Sequence, residues 1–110
     1  MGGVERWVWW AAARIRALGA ARRVRFTHKA LEELYRLDLG LDESDAADIL
    51  ASLSPSEVVG RMRSSRGGEW MYVLEPGVGA IPLYVKVILR DECVVISFHA
   101  RAGDDEEDFA

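Results

Sequence analysis

Leu83-Tyr84-Val85-Lys86-Val87-Ile88-Leu89-Arg90-Asp91-Glu92-Cys93-Val94-Val95-Ile96-Ser97-Phe98-His99 joins two β-rich runs at a polar break, and its reading decides the fold. Apolar and polar residues alternate on both sides of Asp91 and Glu92, which is the pattern of a half-buried antiparallel hairpin. With an even-numbered turn centred on those two residues, Tyr84 faces His99, Lys86 faces Ser97 and Ile88 faces Val95. Directly opposed residues bring their Cβ atoms to about 5 Å. A phenol, an ammonium, a hydroxyl and an imidazole therefore gather at the open end of one hairpin, as a catalytic cluster would.

Upstream, the chain reads as helices first. Val4, Trp7, Val8, Ala11, Ile15 and Leu18 form one apolar stripe flanked by arginines. Thr27 can cap a helix from His28 to about Leu37 with Ala30, Leu31, Leu34 and Tyr35 inward. Asp42 and Asp45 form a box-like start for a third helix through Leu53, burying Ala46, Ile49, Leu50 and Leu53. Ser54-Pro55-Ser56-Glu57 has capping-box spacing with proline at the first helical position, which specifies one short turn. From Val58 the period becomes alternating. Strands are expected over 58–64 and 69–74, around an Arg66-Gly67-Gly68 turn, and Pro76-Gly77-Val78-Gly79 reads as the turn that closes the second. Helices followed by a meander give an α+β domain, with N-terminal helices on one face of an antiparallel sheet and the other face open.

At 110 residues, half of them apolar, the chain makes a single domain over 1–103. Cys93 is the only cysteine, so there is no intramolecular disulfide and no zinc cluster, and a reducing cytoplasm is the simplest setting. His28 and His99 are too few for a metal site, and no HExxH, GxSxG or phosphate-loop pattern occurs. Arg14 and Arg16 interrupt the apolar run from Trp7 far below membrane-spanning length, so neither a secretion signal nor a membrane span is expected.

Charge is segregated. Residues 1–36 hold eight Arg/Lys against three Glu, residues 37–60 hold six acids and no base, and residues 61–101 hold six bases against four acids. The last nine residues add the five acids Asp104 to Asp108, so 104–110 reads as a solvated, disordered tail or as a phosphate mimic for a basic groove. Removing those five turns the net charge from −4 to +1, a mildly basic body that permits nucleic acid binding.

Val24-Arg25-Phe26-Thr27-His28-Lys29-Ala30-Leu31, Leu39-Gly40-Leu41, Leu53-Ser54, Met62, Trp70, Pro76, Leu83-Tyr84-Val85-Lys86 and Val95-Ile96-Ser97-Phe98, in that order and spacing, resemble the MqsR family of bacterial type II toxins, mRNA interferases of the RelE-like superfamily. The similarity runs from Ala12 to Arg101. It implies a RelE-like microbial-RNase fold and a ribosome-independent endoribonuclease of single-stranded mRNA, free of metal or other cofactor, silenced by a cognate antitoxin. The family's active-site tyrosine falls on Tyr84, and its C-terminal active-site lysine falls on His99, a residue type able to act as acid or base near neutral pH. Gly60 stands where the family has a lysine, and Met71 where it has a glutamine.

The expected catalytic set is thus His99, Tyr84 and Lys86, with Arg61, Arg63 and Trp70 as RNA-binding residues. Arg61 and Arg63 share one strand parity, so they face the site together or miss it together. The second reading, favoured by Gly60 and Met71, is a catalytically weakened family member that binds an antitoxin or regulatory complex through the open sheet face. Trp9 lies off the apolar stripe of the first helix and is the candidate for an antitoxin or homo-oligomer contact.

Overall fold

Strands β5 (Ile81–Leu89) and β6 (Cys93–Ala100) form the hairpin anticipated from the sequence and occupy the middle of the sheet. The computed structural model describes residues 5–65 and 67–101; the expectations on Val4, on Arg66 and on the tail 104–110 lie outside the described residues. Helices α1 (Arg6–Ala20), α2 (His28–Arg36) and α3 (Glu43–Ala51) and a 3-10 turn (Pro55–Glu57) interleave with β1 (Val24–Phe26) and precede β2 (Val58–Arg63), β3 (Trp70–Leu74) and the two-residue β4 (Gly77–Val78). The sheet order is β1-β6-β5-β3-β2, with β4 paired to the start of β5. The fold is α+β, as expected.

Tyr84 opposes His99 and Lys86 opposes Ser97, but Ile88 opposes Val94 rather than Val95. The loop is the odd-numbered Arg90-Asp91-Glu92, and a β-bulge between Lys86 and Val87 leaves Ile96 as an extra residue in β6. The reason lies in the core. Val95 and Phe98 are both fully buried although three residues apart, and strict alternation would send one of them to solvent. The bulge turns both inward, and it restores the parity that the odd loop removes.

Two further departures concern the sheet edges. Val24–Phe26 is a strand, running parallel to Cys93–Val95, so the sheet is mixed rather than wholly antiparallel. Gly77–Val78 is not only a turn but pairs with Pro82 and Ile81, the chain reversing at Gly79 with φ 61°. After Phe26 the Thr27 amide donates to the Val95 carbonyl, and the Thr27 hydroxyl accepts from the Ala30 amide. The cap thus starts α2 beside β6 at the point where β1 ends. Lys29 and Glu33 face β6 from this helix, and Tyr35, expected inside, is 56% exposed.

Helix α1 buries Val8, Ala11, Ala12, Ile15 and Leu18 against the inner sheet residues Leu74, Leu83, Val85, Val87, Val95 and Phe98. The Asp42/Asp45 capping box is formed, and α3 delivers Ala46, Ala47 and Leu50 to the same core. The Ser54 amide donates to Glu57 at the short turn. Cys93 is buried in this apolar interior, and burial pushes its thiol up to about 12, so it packs as a small apolar group.

Gly19 fixes how closely α1 and α3 approach: a Cβ there would lie 2.8 Å from the Ala51 nitrogen and 2.9 Å from the Ala47 oxygen. Alanine is favoured over glycine in a helix by about 1 kcal/mol, but overpacking costs about 1–3 kcal/mol, and backbone atoms cannot rotate aside. Gly19→Ala is expected to lower stability by roughly 1–2 kcal/mol in urea unfolding; an unchanged or raised midpoint would contradict this close crossing.

Candidate functional site

Because Leu83, Val85 and Val87 point into the core, Tyr84, Lys86 and Ile88 emerge on the face opposite α1 and α3. Three rows of side chains cross this outer face. Tyr84 pairs with His99; Gly60, Val73, Lys86 and Ser97 form the second row; Met62, Met71, Ile88 and Val94 form the third. Gly60 thus lies in the Lys86 row and Met71 in the row beside it.

The Tyr84 and His99 rings stack with centroids 5.3 Å apart and planes tilted by 17°. The Lys86 ammonium sits 5.8 Å from the centre of the Tyr84 ring, within reach of its negative face. His99 Nδ1 is 2.9 Å from the Ala100 carbonyl oxygen. A carbonyl can only accept, so Nδ1 is the donor of that contact and Nε2 is the other ring nitrogen.

Two residues not singled out from the sequence complete the cluster. The Lys29 ammonium comes round the edge of β6 to donate to Ser97 Oγ at 3.0 Å, and pairs with Glu33 at 3.0 Å. Glu33 Oε1 accepts the Phe98 amide at 2.9 Å, satisfying β6 beyond the end of β1. Partial burial pushes the Glu33 carboxyl up, but the Phe98 amide, Lys29 and the nearby His99 outweigh it and hold the carboxyl below the ordinary range. The Lys29/Glu33 spacing of four residues is visible in the sequence; its direction depends on the Thr27 cap lying against β6.

Arg61, Arg63 and Trp70 are not brought to this face. A bulge at Val59, which is 50% exposed, separates Val58 opposite Leu74 from Gly60 opposite Val73. Strict alternation from the buried Val58 would have turned Arg61 and Arg63 outward to Lys86; the extra residue sends both to the helix side instead. There the Arg61 guanidinium lies 4.4 Å from the Trp7 ring centre and 4.0 Å from that of Trp70, with Arg63 at 4.0 Å from Trp70. Trp7 and Trp10 of α1 lie 6.0 and 6.2 Å from Tyr72. Trp9, beyond this stack, is 57% exposed.

Among the described residues, no three His, Cys, Asp or Glu side chains gather as metal ligands, and no helix is long and apolar enough to cross a membrane. A family model described as "Motility quorum-sensing regulator, toxin of MqsA" matches residues 11–100, spanning all of the sheet and α2, α3 and most of α1. No curated protein matches the chain significantly.

A carboxyl held low in the folded state adds stability above its unfolded value of about 4.3, and that stability disappears as pH falls through the lower folded value. Wild type is therefore expected to exceed Glu33→Gln by roughly 1–2 kcal/mol at pH 7, with the gap closing below about pH 4. Urea unfolding across this range checks it; a gap independent of pH would remove the carboxylate from the account.

Proposed function

The chain belongs to the MqsR toxin family, and from that premise we propose that this toxin of a toxin-antitoxin system is a ribosome-independent endoribonuclease of single-stranded mRNA, working at Tyr84, Lys86 and His99. The observation that carries the reading is the stacked Tyr84–His99 pair beside Lys86 on the sheet face away from α1 and α3. Cleavage of this kind needs a base, cations and room for a flexible strand.

In this reading His99 Nε2 takes the proton of the ribose 2′-hydroxyl. The 2′-oxygen then bonds to the adjacent phosphorus and the bond to the 5′-oxygen breaks, leaving a cyclic phosphate and a 5′-hydroxyl. Lys86 and Lys29 offset the charge gathering on the phosphate oxygens, and the Tyr84 phenol donates a hydrogen bond to one of them. The leaving oxygen draws its proton from solvent on this open face. The phosphate-binding part expected of Arg61, Arg63 and Trp70 is assigned here to Lys29 and Lys86, because the arginines and Trp70 stack on the other side of the sheet.

A specific observation favours the second reading, a catalytically weakened toxin retained for protein binding. Gly60 leaves the row of Lys86 without the cation the family places there, and Met62, Met71, Ile88 and Val94 make the next row apolar. An added Cβ at Gly60 would meet nothing within 4 Å, so a lysine can be introduced there without strain. The cognate antitoxin is the partner in either reading.

Induced in bacteria without antitoxin, wild type is expected to arrest growth and generate new RNA 5′ ends, and His99→Ala to slow cleavage by about 10²–10⁴-fold. Gly60→Lys is expected to raise cleavage. No growth arrest and no new ends from either wild type or Gly60→Lys would refute the nuclease reading, whereas equal cutting by His99→Ala would remove only the role of His99.

A further inference from the structure

We propose that the acidic segment 104–108 docks on the face formed by Tyr84, Lys86, His99 and Arg36, where it competes as a tethered polyanion with the phosphate backbone of RNA. Docking itself stands on charge and connectivity; the competition rests on the nuclease reading above.

Connectivity comes first. Strand β6 ends at Ala100, one residue past His99, and the chain is still held there: the Arg101 amide donates to the Pro82 carbonyl at 2.9 Å, and its guanidinium pairs with Glu75 at 3.5 Å. The exit point therefore lies at the Tyr84–His99 end of the hairpin. At about 3.5 Å per residue, Asp104 reaches about 10 Å from Arg101 and Asp108 about 25 Å. No linker is needed to bring the acids over the ring pair.

Charge supplies the second argument. Five carboxylates, Asp104 to Asp108, follow a body of net charge +1. Around the exit, Lys29 is matched by Glu33 and Arg101 by Glu75. Among the described residues no carboxylate pairs with Lys86 or Arg36, and these flank the imidazole from the sheet and from the last turn of α2. Glu33, Arg36, Leu37, His99 and Ala100 line a shallow cleft between that turn and the end of β6. A polyanion emerging beside two unmatched cations and a histidine has its counterions at hand, whereas the acid-rich stretch 37–60 repels it.

The tether makes weak contacts effective. A short flexible connection holds a segment at millimolar effective concentration, enough to occupy a site whose affinity for the free segment is only millimolar. Both the docked segment and RNA phosphates would be displaced by salt.

The test compares the full chain with a variant carrying D104N, D105N, E106Q, E107Q and D108N, both labelled with nitrogen-15. Docking is expected to appear as amide shift differences at Arg36, Leu37, Tyr84, Lys86 and His99, and adding 1 M NaCl to wild type should move these signals to the variant positions. Differences confined to residues beyond Ala100, or spread evenly over the surface, would overturn docking. In parallel, a fluorescein-labelled single-stranded RNA oligonucleotide at low salt is expected to bind the neutralised variant about threefold to tenfold more tightly. Localised shifts with unchanged RNA affinity would overturn the competition. Localised shifts with no RNA binding by either protein would leave docking intact while the nuclease reading falls.

Discussion

The outer face depends on one packing demand within β6: Val95 and Phe98 must both reach the core. A regular strand cannot satisfy it, because their separation is odd. The extra residue Ile96 does, and everything beyond it is then in phase. Ser97 and His99 turn outward opposite Lys86 and Tyr84, while Phe98 lies 6.1 Å from Phe26 in the interior. The reactive pair is thus set by hydrophobic burial several residues away, and no polar contact is needed to choose its face.

The edge of β6 is completed in two instalments. β1 supplies the backbone partners for Cys93 to Val95, and then α2 takes over with the Thr27 cap and the Glu33 carboxylate, which receives the Phe98 amide. A helix standing at a sheet edge brings long side chains where a further strand would bring only backbone. Lys29 arrives at Ser97 by this route. The same arrangement blunts an edge that could otherwise recruit another strand.

Most of the architecture was legible. Helical stripes in α1 to α3, the caps at Thr27, Asp42 and Ser54, and the alternation of β2, β3, β5 and β6 are short-range signals, and they correspond to the elements found. The Tyr84–His99 and Lys86–Ser97 pairs were legible as well, although two departures cancel to give them: an odd loop in place of an even one, and a bulge in place of regular pairing. What local pattern did not carry was tertiary. Val24–Phe26 is too short to announce a strand, and it becomes one only because β6 offers a partner. Lys29 enters the site through the docking of α2. The face taken by Arg61 and Arg63 turns on the bulge at Val59, and no composition or spacing around Val59 marks which residue the ladder will leave out.

That bulge also shapes what variation could reach. Substitution alters a side chain where it stands, but the length of β2 decides which half of its side chains meets which surface. Loss of a single codon at Val59 would only remove the bulge, leaving Gly60 opposite Val73 and Arg61 opposite Tyr72, so Arg61 and Arg63 would stay on the helix side with Trp7 and Trp70. A one-residue in-frame insertion between Val59 and Arg61, with the bulge kept, is the length change that would set Arg61 opposite Met71 on the outer surface, whereas point mutation must build positive charge there side chain by side chain.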